Sequence, residues 1–208
     1  MKNTILKKLP ATVFSALGLK RWKQSVHWFE DRNWHLIFVE FQPISHAQSV
    51  VLNVGVGLLW YPKDYFSFDI GHRESKVIPF ESEAQFELAV NELINTAERK
   101  VLQYQSAFAT LETACEAILA HHFTSESLWG NFHKGVICGL NQDAASAMRY
   151  FNALLSVNPE SAFEVEIARH TTRLRTFVTD PNRFKLAIQE GIQQTRENLK
   201  LPFLELSW

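Results

Sequence analysis

Asn53 interrupts the apolar run Val50 to Tyr61, and Asp69, His72 and Arg73 gather at the end of the run that follows. An amide set in a strand core needs hydrogen-bond partners, which a nearby carboxylate or guanidinium supplies. An amide, an imidazole and a guanidinium at one place also make a set that holds an anionic ligand. The sequence therefore predicts a buried polar network around Asn53, with a ligand site formed by Asn53, Asp69, His72 and Arg73 as the alternative use of the same residues.

Metal chemistry finds little support. His121, His122, His133 and Cys138 lie close in sequence, but no CxxC, HxxxH or HExxH spacing occurs. Neighbouring histidines on a helix point about 100° apart and do not easily share one ion. No metal and no cofactor is expected. Nucleophilic chemistry fares the same way: there is no GxSxG elbow, and Cys115 falls at an apolar helical position where a thiol is inert. Gly55-Val56-Gly57 lacks the third glycine and the strand-helix setting of a dinucleotide loop, so it reads as a bulge or a close backbone approach within a strand. Lys20, Arg21 and Lys23 surround Trp22, with Trp28 and Trp34 beyond, a combination that suits a stacking platform for single-stranded nucleic acid. Aromatic residues on a sheet are more often core. A net charge of -1 and a pI near 6.7 also lack the basic footprint of nucleic-acid binders, so that partner is disfavoured.

These residues need a scaffold. From Gln24 to Ile70 the chain is aromatic and β-branched between turn signals. Ser25–Glu30 and Trp34–Phe41 form a hairpin about Asp31-Arg32-Asn33, Val50–Tyr61 is a third strand, and Tyr65–Ile70 alternates as a fourth. Before the sheet, Leu6, Leu9, Val13, Phe14 and Leu17 predict one amphipathic helix stopped by Gly18. After Pro79 a helical stripe runs from Phe86 to Leu119 as one long helix or two joined near residues 104–107, with Ser82 as N-cap. Further helices follow Asn141-Gln142-Asp143, Asn158-Pro159 and Asp180-Pro181. Gly135, Ala147, Phe151, Leu154 and Pro159 match one tetratricopeptide unit, but no second repeat exists, so an αα-hairpin is expected.

The fold class is α+β: an antiparallel sheet of about four strands packed by helices, with an α-helical C-terminal part. The expected division is a sheet domain over 1–125 and a helical extension over 126–208, packed on the same unit. A chain of 208 residues with 46% hydrophobic and 21% charged residues is globular, not disordered. It has no apolar run long enough to cross a membrane, and a cytoplasmic address is expected. Leu201, Phe203, Leu204, Leu206 and Trp208 make the C-terminal segment too apolar for a free tail, so it should dock.

Three stretches together resemble a bacterial family of unknown function, the domain of unknown function numbered four-three-zero-four. They are Leu17-Gly18-Leu19-Lys20-Arg21, Phe38-Val39-Glu40-Phe41-Gln42-Pro43-Ile44-Ser45 and Val51-Leu52-Asn53-Val54-Gly55-Val56, with Ile70-Gly71-His72 after them. The resemblance spans roughly residues 5–120 and implies an α+β fold without an assigned activity. Leu19 stands where that family often has Phe, and Pro43 where a basic residue is common.

Charge is split along the chain: residues 1–80 carry 10 Lys and Arg against 6 Asp and Glu, and residues 81–208 carry 11 against 16. Opposite charge on two halves, an aromatic-rich sheet and no catalytic signature point to a non-enzymatic protein-binding module of accessory or toxin-neutralising type, with a protein partner or a second copy of the chain. The alternative is a small-ligand-binding protein or enzyme using Asn53, Asp69, His72 and Arg73. Because no ligand spacing for a metal exists, protein purified without added metal should contain none in elemental analysis, and stoichiometric zinc would overturn this.

Overall fold

Pro10 has no backbone N–H to give, so the helical periodicity of the first residues cannot run as one rod. It is split into α1 (Lys2–Lys8) and α2 (Ala11–Ala16), and Gly18, at φ +84°, ends the second. The single first helix read from the sequence is therefore two. The computed structural model describes residues 2–44 and 47–205. Ser45, Leu206 and Trp208, which figure in the sequence reading, lie outside the described residues.

The sheet is built from β1 (Lys20–Arg21), β2 (His27–Asp31), β3 (His35–Ile44), β4 (Ser49–Leu58), β5 (Ile70–Arg73) and β6 (Ile78–Pro79). All pairings are antiparallel, in the order β1-β2-β3-β4-β5 with β6 also on β4. Among the described residues six strands stand where four were expected: β1 and β6, of two residues each, are too short to show a period, and β5 begins where the expected fourth strand ends. The helices are α3 (Glu83–Ala107), α4 (Leu111–Ala120), α5 (Asn131–Leu140), α6 (Ala144–Leu155), α7 (Ala162–Arg175) and α8 (Pro181–Asn198), with a π-helical turn at Glu126–Gly130. The fold is α+β, with a helical C-terminal part.

The chain divides into two compact units, Met1–Leu58 with Tyr65–Ser106, and Leu59–Asp64 with Ala107–Trp208. The sequence reading sets its border at 125/126. The structure keeps α4 with the later helices, where Asn141 Nδ2 donates to the Leu111 carbonyl at 3.1 Å, and so moves the border back to 106/107.

In the first unit, strand alternation sends Ile37, Val39 and Phe41 of β3 to one face and Leu36, Phe38, Glu40 and Gln42 to the other. On the first face Phe14 of α2 meets Trp28 edge-on at 5.5 Å and stacks on Phe41 at 6.0 Å. Ser82 Oγ accepts from Gln85 N at 3.2 Å and starts α3 as expected. Near the other end of this helix Gln105 Nε2 donates to the Leu17 carbonyl at 2.9 Å and to Glu30 Oε2 at 2.8 Å, tying α3 to α2 and β2.

The second face is shaped by Gly55 and Gly57. A Cβ at Gly55 would lie 2.3 Å from the Ile70 carbonyl oxygen and 2.8 Å from the Phe68 ring; one at Gly57 would lie 2.7 Å from the Phe38 ring and 2.8 Å from the Ser67 carbonyl oxygen. The β3–β4 register runs unbroken from His35↔Leu58 to Ile44↔Ser49, so these glycines mark a close approach and not a bulge. Residues 65–69 are correspondingly not the fourth strand that their alternation suggested. They form a strap laid on the glycine stripe, its Phe66 and Phe68 rings 4.9 and 5.8 Å from Phe38. Asp69 fastens it, its Oδ2 accepting from Leu58 N at 2.6 Å and its Oδ1 from Ser67 Oγ at 2.9 Å.

The second unit is a helical array with each start signalled locally. Thr110 and Thr113 cap α4 reciprocally, Asp143 caps α6, Ser161 and Glu164 form a capping box on α7, and Asp180 precedes Pro181 at the start of α8. Gly135 of α5 leaves room for Phe151 of α6, whose ring would lie 2.4 Å from a Cβ there, which gives the expected αα-hairpin. Residues 59–64 belong to this unit's core. Trp60 is fully buried and its Nε1 donates to His133 Nδ1 at 2.8 Å, while the Tyr61 carbonyl accepts from Thr195 Oγ1 of α8 at 2.8 Å. The C-terminal segment docks through buried Leu199 and Leu201 and through Arg196, whose Nε and Nη2 donate to the Pro202 carbonyl at 3.1 and 2.8 Å; Phe203 is 80% exposed.

Gly55→Ala forces the new methyl against the Ile70 carbonyl of β5 and the Phe68 ring of the strap, and overpacking of this kind costs about 1–3 kcal/mol. A clearly lowered melting temperature is expected, and one equal to wild type would show that the strap moves away freely.

Candidate functional site

Sheet register assembles a polar row that no single segment of sequence contains. His27 of β2 faces Glu40 of β3, Glu40 faces Asn53 of β4, and Asn53 faces Arg73 of β5. Directly paired residues share a face, so imidazole, carboxylate, amide and guanidinium run in that order across four strands. His27 Nε2 donates to Glu40 Oε1 at 2.8 Å, and Asn53 Nδ2 donates to Glu40 Oε2 at 2.8 Å and to Gln42 Oε1 at 3.1 Å. Burial alone would push the Glu40 carboxyl up, but the hydrogen bonds from His27 and Asn53, with the charge of His27, outweigh it and hold Glu40 below the usual carboxylate range. Glu40 is therefore ionised at neutral pH.

The neighbouring row on the same face is Phe29, Phe38, Gly55 and Gly71. The strap covers part of it, and between the strap and the polar row lies a recess of about 200 Å³ lined by His27, Phe38, Val39, Glu40, Phe66 and Phe68. One wall is aromatic and the other is a fixed carboxylate with its imidazole partner. Trp22 completes the surroundings from behind, meeting Phe66 edge-on at 4.7 Å.

Of the four residues singled out in the sequence, the structure brings together Asn53 and Arg73 alone. His72 pairs with Val54 and so faces the opposite side of the sheet, where its Nε2 lies 3.5 Å from Glu74 Oε1. Asp69 is spent on fastening the strap. Asn53 does sit in a polar network, as its setting predicted, but its partners are Glu40 and Gln42, from the preceding strand. Sequence reasoning missed His27 and Glu40: a turn at Asp31-Arg32-Asn33 would set His27 opposite Ile37, whereas the observed register, with Asp31 opposite Leu36, sets it opposite Glu40.

A second recess, of about 300 Å³, lies in the helical unit and is lined by Tyr61, Pro62, Glu166, Arg169, His170 and Arg173. The last four recur at the i, i+3, i+4, i+7 spacing of one face of α7. Burial, with the charges of Arg173 and Arg169, lowers His170 to about 4, so its ring is neutral at pH 7. Tyr61 meets that ring edge-on at 5.5 Å, and Arg173 Nη2 donates to Glu190 Oε2 at 2.6 Å.

The remaining chemical candidates disperse. Trp28 lies on the buried face with Phe14, while Trp22 packs on Phe29 of the other, so the tryptophans form no common platform beside Lys20, Arg21 and Lys23. Cys115 and Cys138 hydrogen-bond each other, and burial raises both thiols, Cys138 to about 12. Neither is a nucleophile at neutral pH. His133 is occupied by Trp60, and among the described residues no group of three or more His, Cys, Asp or Glu could hold a metal ion. No helix among them is long and apolar enough to cross a membrane. No protein-family model, curated protein or solved structure matches the chain.

Asn53→Leu removes two hydrogen bonds from the row and leaves Glu40 Oε2 without its amide, a loss of about 1–3 kcal/mol at neutral pH. Because Glu40 is held below its ordinary value of 4.5, its contribution is present above that value and fades as the pH falls through the lowered one. The gap in melting temperature between wild type and Asn53→Leu should accordingly narrow on acidification, and a gap independent of pH would mean that Glu40 gains nothing from the amide.

Proposed function

We propose that the protein is a non-enzymatic binding module whose sheet unit captures a positively charged group in the recess beside Glu40, the group being a Lys or Arg side chain presented by a protein partner. The observation that carries this reading is an ionised carboxylate fixed by two hydrogen bonds at the edge of an aromatic-walled recess. Each carboxylate oxygen accepts one hydrogen bond and keeps a second lone pair for an incoming N–H. The faces of Phe38, Phe66 and Phe68 add cation–π attraction, worth more where water is excluded. Size favours a side chain over a free metabolite, since about 200 Å³ is below the 300–1,000 Å³ usual for small-molecule sites.

Capture of a basic side chain suits the accessory or toxin-neutralising role to which the composition points, and the resemblance to the family of unknown function adds no activity to it. The alternative ligand site made of Asn53, Asp69, His72 and Arg73 loses its support, because His72 and Asp69 do not reach the polar row.

Trp22, in contact with Phe66, reports on the recess. Titrating the full chain with a short arginine-containing peptide should give a saturable change in tryptophan fluorescence, weakened about tenfold or more when arginine is replaced by citrulline or when Glu40→Gln is used. Phe66→Leu, which leaves the carboxylate intact, should weaken it by a smaller factor. Equal responses to arginine and citrulline peptides would overturn the proposal.

A further inference from the structure

We propose that the recess of the helical unit binds a carboxylate attached to an apolar body, with Arg169 as its main anchor. This site is separate in residues from the recess beside Glu40 and does not depend on the reading given for it.

Four observations carry the inference. Tyr61 and Pro62 give the recess an apolar wall, and at about 300 Å³ it reaches the size range of small-ligand sites. Arg169 forms no ion pair among the described residues, whereas Arg173 is already engaged by Glu190. A guanidinium without a partner, next to an apolar wall, presents parallel N–H groups in the fork that a carboxylate accepts bidentately. His170 lines the same recess, and its buried Nε2 has no hydrogen-bond partner among the described residues.

Charge decides which anion. Arg169 and Arg173 contribute two positive charges to the lining and Glu166 one negative, and Glu190 offsets Arg173 from outside. A carboxylate brings one negative charge and is matched by Arg169. A phosphate monoester brings nearly two and would leave the excess facing Glu166 in a partly desolvated recess. Glu166 thus acts as the residue that excludes more highly charged ligands.

The test uses the full chain, observed by amide and side-chain NMR, with benzoate, phenyl phosphate and benzyl alcohol as probes, and a short peptide ending in Phe as either free acid or amide. Benzoate or the peptide acid should shift signals of Tyr61 and of residues 163–174 with saturation, and should leave Trp22 unmoved. The free acid that binds more tightly identifies the source of the carboxylate, an organic acid or a chain terminus. Arg169→Gln, at an exposed position, should keep the wild-type melting temperature and weaken binding about tenfold or more, and Glu166→Gln should strengthen it. Failure of both acids to saturate, tighter binding of phenyl phosphate than of benzoate, equal binding of benzyl alcohol, or an unaltered affinity in Arg169→Gln would each overturn the assignment.

Discussion

Backbone can lie flat on backbone only where no side chain intervenes, and β4 meets that condition twice on one face. Gly55 and Gly57 let the 65–69 strap rest on the sheet with the Phe38 ring beneath Phe66 and Phe68. Much of the first unit follows from this contact. The strap turns what would be an open aromatic sheet face into a walled recess, and it leaves the next row along the strands uncovered. That uncovered row holds His27, Glu40, Asn53 and Arg73, so the polar side chains sit where water still reaches them while their aromatic neighbours are largely sheltered. A Cβ at either glycine would lift the strap and open the aromatic wall along with it.

The two recesses solve opposite electrostatic problems with similar means. Beside Glu40 a negative charge is held in place by an imidazole and an amide, and the proposed ligand is a cation. On α7 the proposed ligand is an anion, set against one guanidinium that forms no ion pair among the described residues. In each case a segment without regular secondary structure supplies part of the apolar wall, 65–69 in one and 59–64 in the other. A segment free of ladder hydrogen bonds can present rings at angles that a strand or helix would not allow.

Local chemistry was largely legible in the sequence. Gly18, Ser82, Asp143 and Asp180 each mark a helix end that the structure contains, because capping depends on residues within one turn; the start of α7 falls at Ser161, three residues after the Asn158-Pro159 signal. Non-local chemistry was less so. Tyr65–Ile70 carries a strand's alternation, yet its rings serve a glycine stripe ten residues earlier, and nothing in the segment itself reveals that. Asn53 was recognisable as a residue in need of partners, but which partners depended on the register of three strands. The α7 stripe Glu166, Arg169, His170 and Arg173 was not singled out in the sequence, because its setting comes from Tyr61 and Pro62, more than a hundred residues away in the chain.

Residues 59–64 carry a consequence for the order in which the protein is made. They follow the sheet strand β4 directly, yet the partner of the Tyr61 carbonyl is Thr195, 134 residues later. At about 5–20 residues per second, on the order of 10 s of synthesis separates the two. The first unit has all its strands and α3 by residue 107, whereas Trp60 and Tyr61 have no finished core to enter until α8 has been made. Every growing chain therefore passes through an interval in which a tryptophan and a tyrosine next to a completed sheet are in water. A chain that stalls before α8 has His133 for Trp60 but lacks the Thr195 hydroxyl that the Tyr61 carbonyl accepts from.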